Sequence, residues 1–216
     1  KESLIEKNYE IITEDELIEF KDFKNIFEQS SKDLEYKEEF GNRLQWYYAL
    51  FLKFFFIHRF FENNGSKIVI WEGDSVILKK IQFFKNDSSL LYVWVHYYHD
   101  IFYKTCKEML GSLPKYYGSF ITMFGSLTND ELDYLNKSLG FNKLNNKEFC
   151  AAFSKKALNS IFKAHKVYDN AMFSDYDLMG ISNQNRNFKK QKPIFFLRSS
   201  LDGKLTKFQK IIAKIF

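Results

Sequence analysis

The sequence predicts an α/β fold in which a mostly parallel sheet is flanked by helices. Three observations predict it. Residues 42–62 carry apolar side chains around nearly the whole circumference of a helix, which puts that helix in a core. Asn63-Asn64-Gly65-Ser66 is a turn signal that ends it. Lys67-Ile68-Val69-Ile70-Trp71 follows, a β-branched run of the kind found in strands covered on both faces. Helix, short turn and apolar strand are the units of an α/β domain.

The other elements follow in order. Tyr9-Glu10-Ile11-Ile12-Thr13 reads as a short strand, and residues 16–29 as short helical turns. Ser30 to Phe40 is a charged loop or helix start. Residues 75–84 form a short crossover. Leu90 to Val95 reads as a strand with His96 to Asp100 at its end. Ile101 to Leu110 is a helix stopped at Gly111, and Ser119 to Phe124 is a strand. Thr128-Asn129-Asp130-Glu131 combines a polar cap with acids in a first turn, which predicts a helix start. A further helix covers about 146–164, and Pro193 to Leu197 a late strand. No repeat or low-complexity segment is present.

Composition sets limits. The 216 residues suit one domain with an appendage, and 45% hydrophobic content with 19% aromatics disfavours global disorder. The most apolar stretch, Leu44 to Phe61, is interrupted by Lys53, His58 and Arg59, so it reads as a buried helix and not a bilayer span. Cys106 and Cys150 have neither metal-ligand spacing nor a disulfide framework, and no secretory pattern opens the chain. These features predict a reducing, cytoplasmic setting. The first residue is Lys1, which fits a piece of a longer protein.

Charge divides the chain in two. Residues 186–216 hold nine basic residues against Asp202 alone, a net +8, so the remaining 185 residues carry about −3 of the total +5. The predicted organisation is a catalytic domain over 1–185 and a basic tail over 186–216. Within the tail, Lys204 to Phe216 forms an amphipathic helix, with Leu205, Phe208, Ile212, Ile215 and Phe216 on one side and four lysines on the other. Such a helix can dock on its own domain. It can also lie on an anionic membrane, which would hold the protein peripherally on the inner face. No nucleic-acid motif accompanies it and the domain is net acidic, so nucleic acid is the least favoured partner.

The acidic step Glu72-Gly73-Asp74 follows the Lys67–Trp71 strand. Ligands of open α/β sheets bind outside the carboxyl ends of strands. Two carboxylates there suit Mn²⁺ or Mg²⁺ together with substrate phosphates. The same tripeptide also fits an ordinary solvated turn. Gly-rich phosphate loops are absent.

Four segments, in this order, resemble a group of small bacterial GT-A-type glycosyltransferases associated with surface polysaccharides. They are Leu44-Gln45-Trp46-Tyr47-Tyr48-Ala49-Leu50-Phe51-Leu52-Lys53, Ile70-Trp71-Glu72-Gly73-Asp74-Ser75-Val76, Tyr98-His99-Asp100-Ile101-Phe102-Tyr103 with Ser119-Phe120-Ile121, and Phe173-Ser174-Asp175-Tyr176-Asp177-Leu178-Met179-Gly180. The resemblance covers roughly residues 9–185. Glu72 stands where the group has Asp, Ala49-Leu50 stands where it has Gln-Gln, and the front nucleotide-binding strand is short or missing. The resemblance implies a divalent-metal-dependent transferase. It would move a sugar from a nucleotide diphosphate donor to a hydroxyl of a glycan or lipid-linked glycan. It implies Glu72, Asp74 and His99 as metal ligands, Trp71, Arg43 and Lys53 as donor contacts, and Asp175 or Asp177 as catalytic base. The residues leave other roles open: Ser174 and Asp175 can cap a helix, His99 can be a loop polar residue, and His58 reads as structural. A non-catalytic glycan- or nucleotide-binding module is the alternative function.

Overall fold

The computed structural model describes residues 12–30, 32, 43–63, 65–71, 75–77, 80–93, 99–112, 118–120, 124–141, 146–165, 173–183, 188–190 and 196–198. The elements run α1 (Glu14–Leu17), α2 (Phe20–Ser30), α3 (Leu44–Glu62), β1 (Lys67–Trp71), β2 (Ser75–Ile77), β3 (Phe84–Lys85), β4 (Ser88–Ser89) and β5 (Leu91–Val93). There follow α4 (Asp100–Leu110), β6 (Phe124–Thr128), α5 (Asn129–Leu139), α6 (Asn146–His165), α7 (Asp175–Asn183), β7 (Phe188–Lys190) and β8 (Phe196–Arg198). This is an α/β fold dominated by helix. No helix among the described residues is long and apolar enough to cross a membrane.

The helical core is built on α3. Its 19 residues bury Tyr47, Tyr48, Phe51, Phe54, Phe55, Ile57 and Phe61. Phe51 and Phe54 pack on Phe153 of α6 with ring centroids 4.9 and 5.1 Å apart. Phe23 of α2 meets Phe51 at 5.1 Å, and Phe173 meets Phe153 at 5.9 Å. Large aromatic rings fill such a core by edge and tilted contacts. The Tyr48 hydroxyl, carried into this core, donates to the Ile18 carbonyl at 2.7 Å.

The sheet departs from the expected one. Among the described residues, β1 pairs with β6, β2 with β8 and β3 with β4, all antiparallel, and β5 pairs with β7 in parallel. No mostly parallel sheet is present among them. The physical reason lies in burial. In β1, Ile68 is buried, Val69 and Ile70 are half-buried, and both ends are exposed. A strand covered only in part is free to take an antiparallel partner.

Local signals explain the element ends. Thr128 caps α5, and the Glu131 carboxylate returns to the Thr128 N–H at 2.9 Å. The same buried carboxylate accepts the Ser89 N–H at 3.0 Å and the Ser89 hydroxyl at 2.6 Å, tying the β3–β4 hairpin to α5. Gly111 and Gly140 end α4 and α5 in the left-handed conformation that suits glycine. The expected Tyr9–Thr13 strand lies outside the described residues except Ile12 and Thr13. Thr13 instead precedes α1, where its N–H and hydroxyl donate to Glu16 at 3.3 and 3.1 Å. The Lys204–Phe216 helix lies wholly outside the described residues.

Candidate functional site

Lys53, Asp175 and Asp177 come together where α3, α7 and the segment 118–120 meet. Lys53 projects from α3, with its Nζ 3.0 Å from Asp175 Oδ2. The same ammonium sits 4.9 Å from the centre of the Tyr176 ring. The Lys53 side chain is 25% exposed and that of Asp175 only 5%. The ion pair therefore runs from a partly wet cation to an enclosed anion.

Ser174 precedes α7, and its hydroxyl accepts the Asp177 N–H at 3.4 Å. This is the capping role that short polar side chains play at a first turn. The Asp177 carboxyl turns inward. It is fully buried, and its Oδ1 accepts the Phe120 N–H at 2.8 Å. Burial pushes the Asp177 carboxyl up to about 7. The Phe120 hydrogen bond opposes the rise, the neighbouring Asp175 charge adds to it, and the Ser119 hydroxyl opposes it again. Cys106 of α4 lies against the same carboxyl. Burial pushes its thiol well up, and the Asp177 charge pushes it further. Thiolate chemistry at Cys106 is thereby disfavoured.

Phe120 and α7 fit closely. A Cβ at Gly180 would fall 2.1 Å from the Phe120 ring, so only glycine lets the ring lie flat on the helix. Gly180→Ala is expected to cost roughly 1–3 kcal/mol through this overlap. Thermal melting measures it, and an unchanged melting temperature would show that the ring can move aside.

The sheet reaches the same region. Trp71, at the carboxyl end of β1, pairs with Phe124 of β6. A Cβ at the next residue, Gly125, would lie 3.3 Å from the Tyr176 ring. The chain from the end of β1 through Phe124 and Gly125 to Tyr176 and Lys53 is thus continuous. Trp71 is 39% exposed, with its ring 6.5 Å from that of Phe83. Phe83 in turn meets Phe124 at 5.4 Å.

Other expected site residues lie elsewhere. Arg43 precedes α3, ten residues and about 15 Å of helix rise from Lys53. Arg43 therefore marks the N-terminal end of α3 and Lys53 its middle. His99 precedes α4, half-buried, with its ring 4.8 Å from Phe102. It lies seven residues before Cys106, about 10 Å along that helix. Glu72 and Asp74 lie outside the described residues. Among the described residues no three His, Cys, Asp or Glu side chains are gathered to hold a metal ion.

Sequence reading missed the enclosure of Asp177 and the parts played by Cys106 and Ser119. A Ser174-x-x-Asp177 spacing was the available signal for a cap. Nothing local signals that the carboxyl reaches the Phe120 backbone, 57 residues away.

No protein-family model, curated protein or solved structure matches this chain.

Proposed function

We propose that this chain is a divalent-metal-dependent glycosyltransferase of GT-A type, acting on a nucleotide diphosphate sugar and a glycan or glycolipid hydroxyl. The observation that carries the reading is the partly exposed Lys53 paired with the enclosed Asp175, linked through Tyr176 and β6 to the carboxyl end of β1. Glu72 and Asp74 follow that strand end in the sequence. Their carboxylates are the oxygen donors that Mn²⁺ and Mg²⁺ prefer, and such an ion would offset charge on a leaving diphosphate.

The protein's own groups have distinct roles in this reading. Lys53 exchanges Asp175 for a diphosphate oxygen of the donor. Asp175, relieved of its cation inside an apolar wall, becomes a better base. It takes the proton of the acceptor hydroxyl as that oxygen bonds to the anomeric carbon. The carbon–oxygen bond to the diphosphate breaks, and its electron pair leaves with the diphosphate. The partner favours Asp175 over Asp177 for this task, because Asp175 sits beside the partly exposed Lys53 ammonium while Asp177 holds the 118–120 segment.

Calorimetry with a nucleoside diphosphate and Mn²⁺ tests the reading. Asp74→Ala is expected to weaken binding at least about tenfold, or about 1.4 kcal/mol. Undiminished binding by Asp74→Ala removes the metal assignment.

The enclosure of both aspartates also favours a second reading, a glycan- or nucleotide-binding module in which the carboxylates serve only as internal struts. Retained ligand binding with no turnover across a panel of donors would select it.

A further inference from the structure

A groove of about 670 Å³ runs along α6, with Glu108 of α4 and Gly140 at the end of α5 completing its lining. A volume of this size suits a small ligand. The groove shares no lining residue with the Lys53–Asp175 pair.

Helical spacing decides what α6 presents to the groove. Ser160 lines it and is only 6% exposed. Lys156 stands four residues before Ser160 and Lys163 three residues after it, so both cations neighbour that position on the helix surface. Lys155 and Asn159 lie on the adjoining exposed stripe, four residues apart. Among the described residues, the side chains of Lys155, Asn159 and Ser160 have no hydrogen-bond or ion-pair partner. Enclosed polar groups are normally satisfied, and a helical serine usually turns to the carbonyl one turn back. The Ser160 hydroxyl does neither, and the groove is what lies before it.

The other two lysines are held in place but not used up. Lys163 pairs with Glu108 across the groove, and Lys156 Nζ donates to the Leu139 carbonyl at 2.6 Å. An ammonium has three N–H donors, so each keeps donors for a further partner. Burial lowers the Lys156 ammonium, and an anion beside it would oppose that fall. Lys155, Lys156 and Lys163 against Glu108 give the lining a net charge of +2.

We infer that this groove binds a phosphate monoester, with its phosphoryl group over Ser160 between Lys156 and Lys163. Such a group carries about two negative charges at neutral pH and three strong acceptor oxygens. Its charge matches the net charge of the lining. Its oxygens accept from the Ser160 hydroxyl, the Asn159 amide and the remaining N–H groups of Lys156 and Lys163, and Lys155 adds charge at the edge. A carboxylate is a poorer occupant, because one charge and two oxygens leave a cation and a donor unanswered.

Titration of the full chain with glucose 6-phosphate at low salt, followed by calorimetry and by the Asn159 side-chain amide resonances, tests the inference. Saturable binding is expected, and none with glucose. Ser160→Ala is expected to weaken binding roughly fivefold. The same change is expected to leave the melting temperature equal or higher, since the hydroxyl has no partner to lose and alanine favours a helix. Lys163→Gln is expected to weaken binding roughly tenfold, because it removes a donor and uncovers the Glu108 charge. Asp74→Ala is expected to bind the ester as the parent does, so this site and the metal assignment fail separately. Vesicles containing phosphatidic acid form a second arm. Vesicle binding that Ser160→Ala weakens would name a lipid headgroup as the source of the phosphate, and an effect confined to the soluble ester would name a small molecule. Three results would overturn the inference. One is unchanged affinity in the Ser160→Ala, Lys163→Gln double variant. Another is the same Asn159 shift on adding chloride at equal ionic strength. The third is binding that disappears in Asp74→Ala, which would place the phosphate at the transferase site.

Discussion

Lys53→Met lowers the melting temperature by roughly 6–12 °C at pH 8, and by less at pH 5. Removing one partner of a buried ion pair leaves an uncompensated charge inside, which costs about 3–5 kcal/mol when both partners are enclosed. Lys53 keeps 25% of its side chain in water, which places this case at the lower end, about 3 kcal/mol. For a chain of this length each kcal/mol corresponds to about 2–4 °C. Asp175, 5% exposed, then loses the ammonium beside it, and taking a proton relieves that loss. Acid therefore relieves the variant, and alkali does not. The converse change is milder. Asp175→Asn leaves an ammonium whose flexible stem can turn outward to water. The double variant, with neither charge, is expected to melt near the parent. Equal losses for the two single variants would mean that Lys53 contributes packing over Tyr176 and not charge. The same variants bear on function: under the transferase reading both lose turnover, including the double variant that melts normally.

The helices were legible because their signals are local. The predicted 42–62, 101–110 and 146–164 became Leu44–Glu62, Asp100–Leu110 and Asn146–His165. Caps and stops such as Thr128 and Gly111 are written in a few adjacent residues. The strand over 67–71 was also legible from its β-branched run. Its direction was not: the run reads as a strand covered on both faces, the structure covers it only in part, and the run says nothing of the neighbour. Of the strand expected over 119–124, residues 121–123 lie outside the described residues, and β6 runs from Phe124 on to Thr128. In the fold, Gly125 makes room for Tyr176, and the Ser126 hydroxyl donates to the Phe83 carbonyl at 3.2 Å. Both choices are set by distant neighbours that a linear reading does not contain.

The site was legible as residue types and not as roles. Lys53 and Asp175 were singled out for separate tasks, and the fold joins them at 3.0 Å. Arg43 and Lys53 were grouped by charge, and α3 holds them about 15 Å apart in rise. His58 read as structural, and its ring does pack on Phe149. Its place beside Asp133 and Asn136 depends on α5, more than 60 residues later.

Asp177→Asn stabilises the protein above pH 7 and leaves it near the parent below pH 4. The Asp177 carboxyl is raised from 3.8 to about 7, with burial as the largest cause. It therefore binds its proton more tightly in the folded chain than in the unfolded one. The stability that this proton carries is intact below about pH 4 and is lost as the pH rises through about 7. A shift of this size corresponds to an order of 4 kcal/mol between those limits. Asparagine removes the penalty, since it has no charge to bury. Its carbonyl oxygen can keep accepting the Phe120 N–H, now 2.8 Å from Oδ1. Its amide must find an acceptor, and the Ser119 hydroxyl lies beside it. Some of the gain is spent there, which leaves about 2–4 kcal/mol at pH 8, or on the order of 10 °C in melting temperature. Melts of parent and variant at several pH values measure the difference directly. A variant less stable than the parent at pH 8 would mean that the folded chain holds Asp177 as a compensated anion. The same variant separates the two aspartates in chemistry: a base must accept a proton, so retained turnover in Asp177→Asn with turnover lost in Asp175→Asn assigns that task to the carboxylate that Lys53 holds.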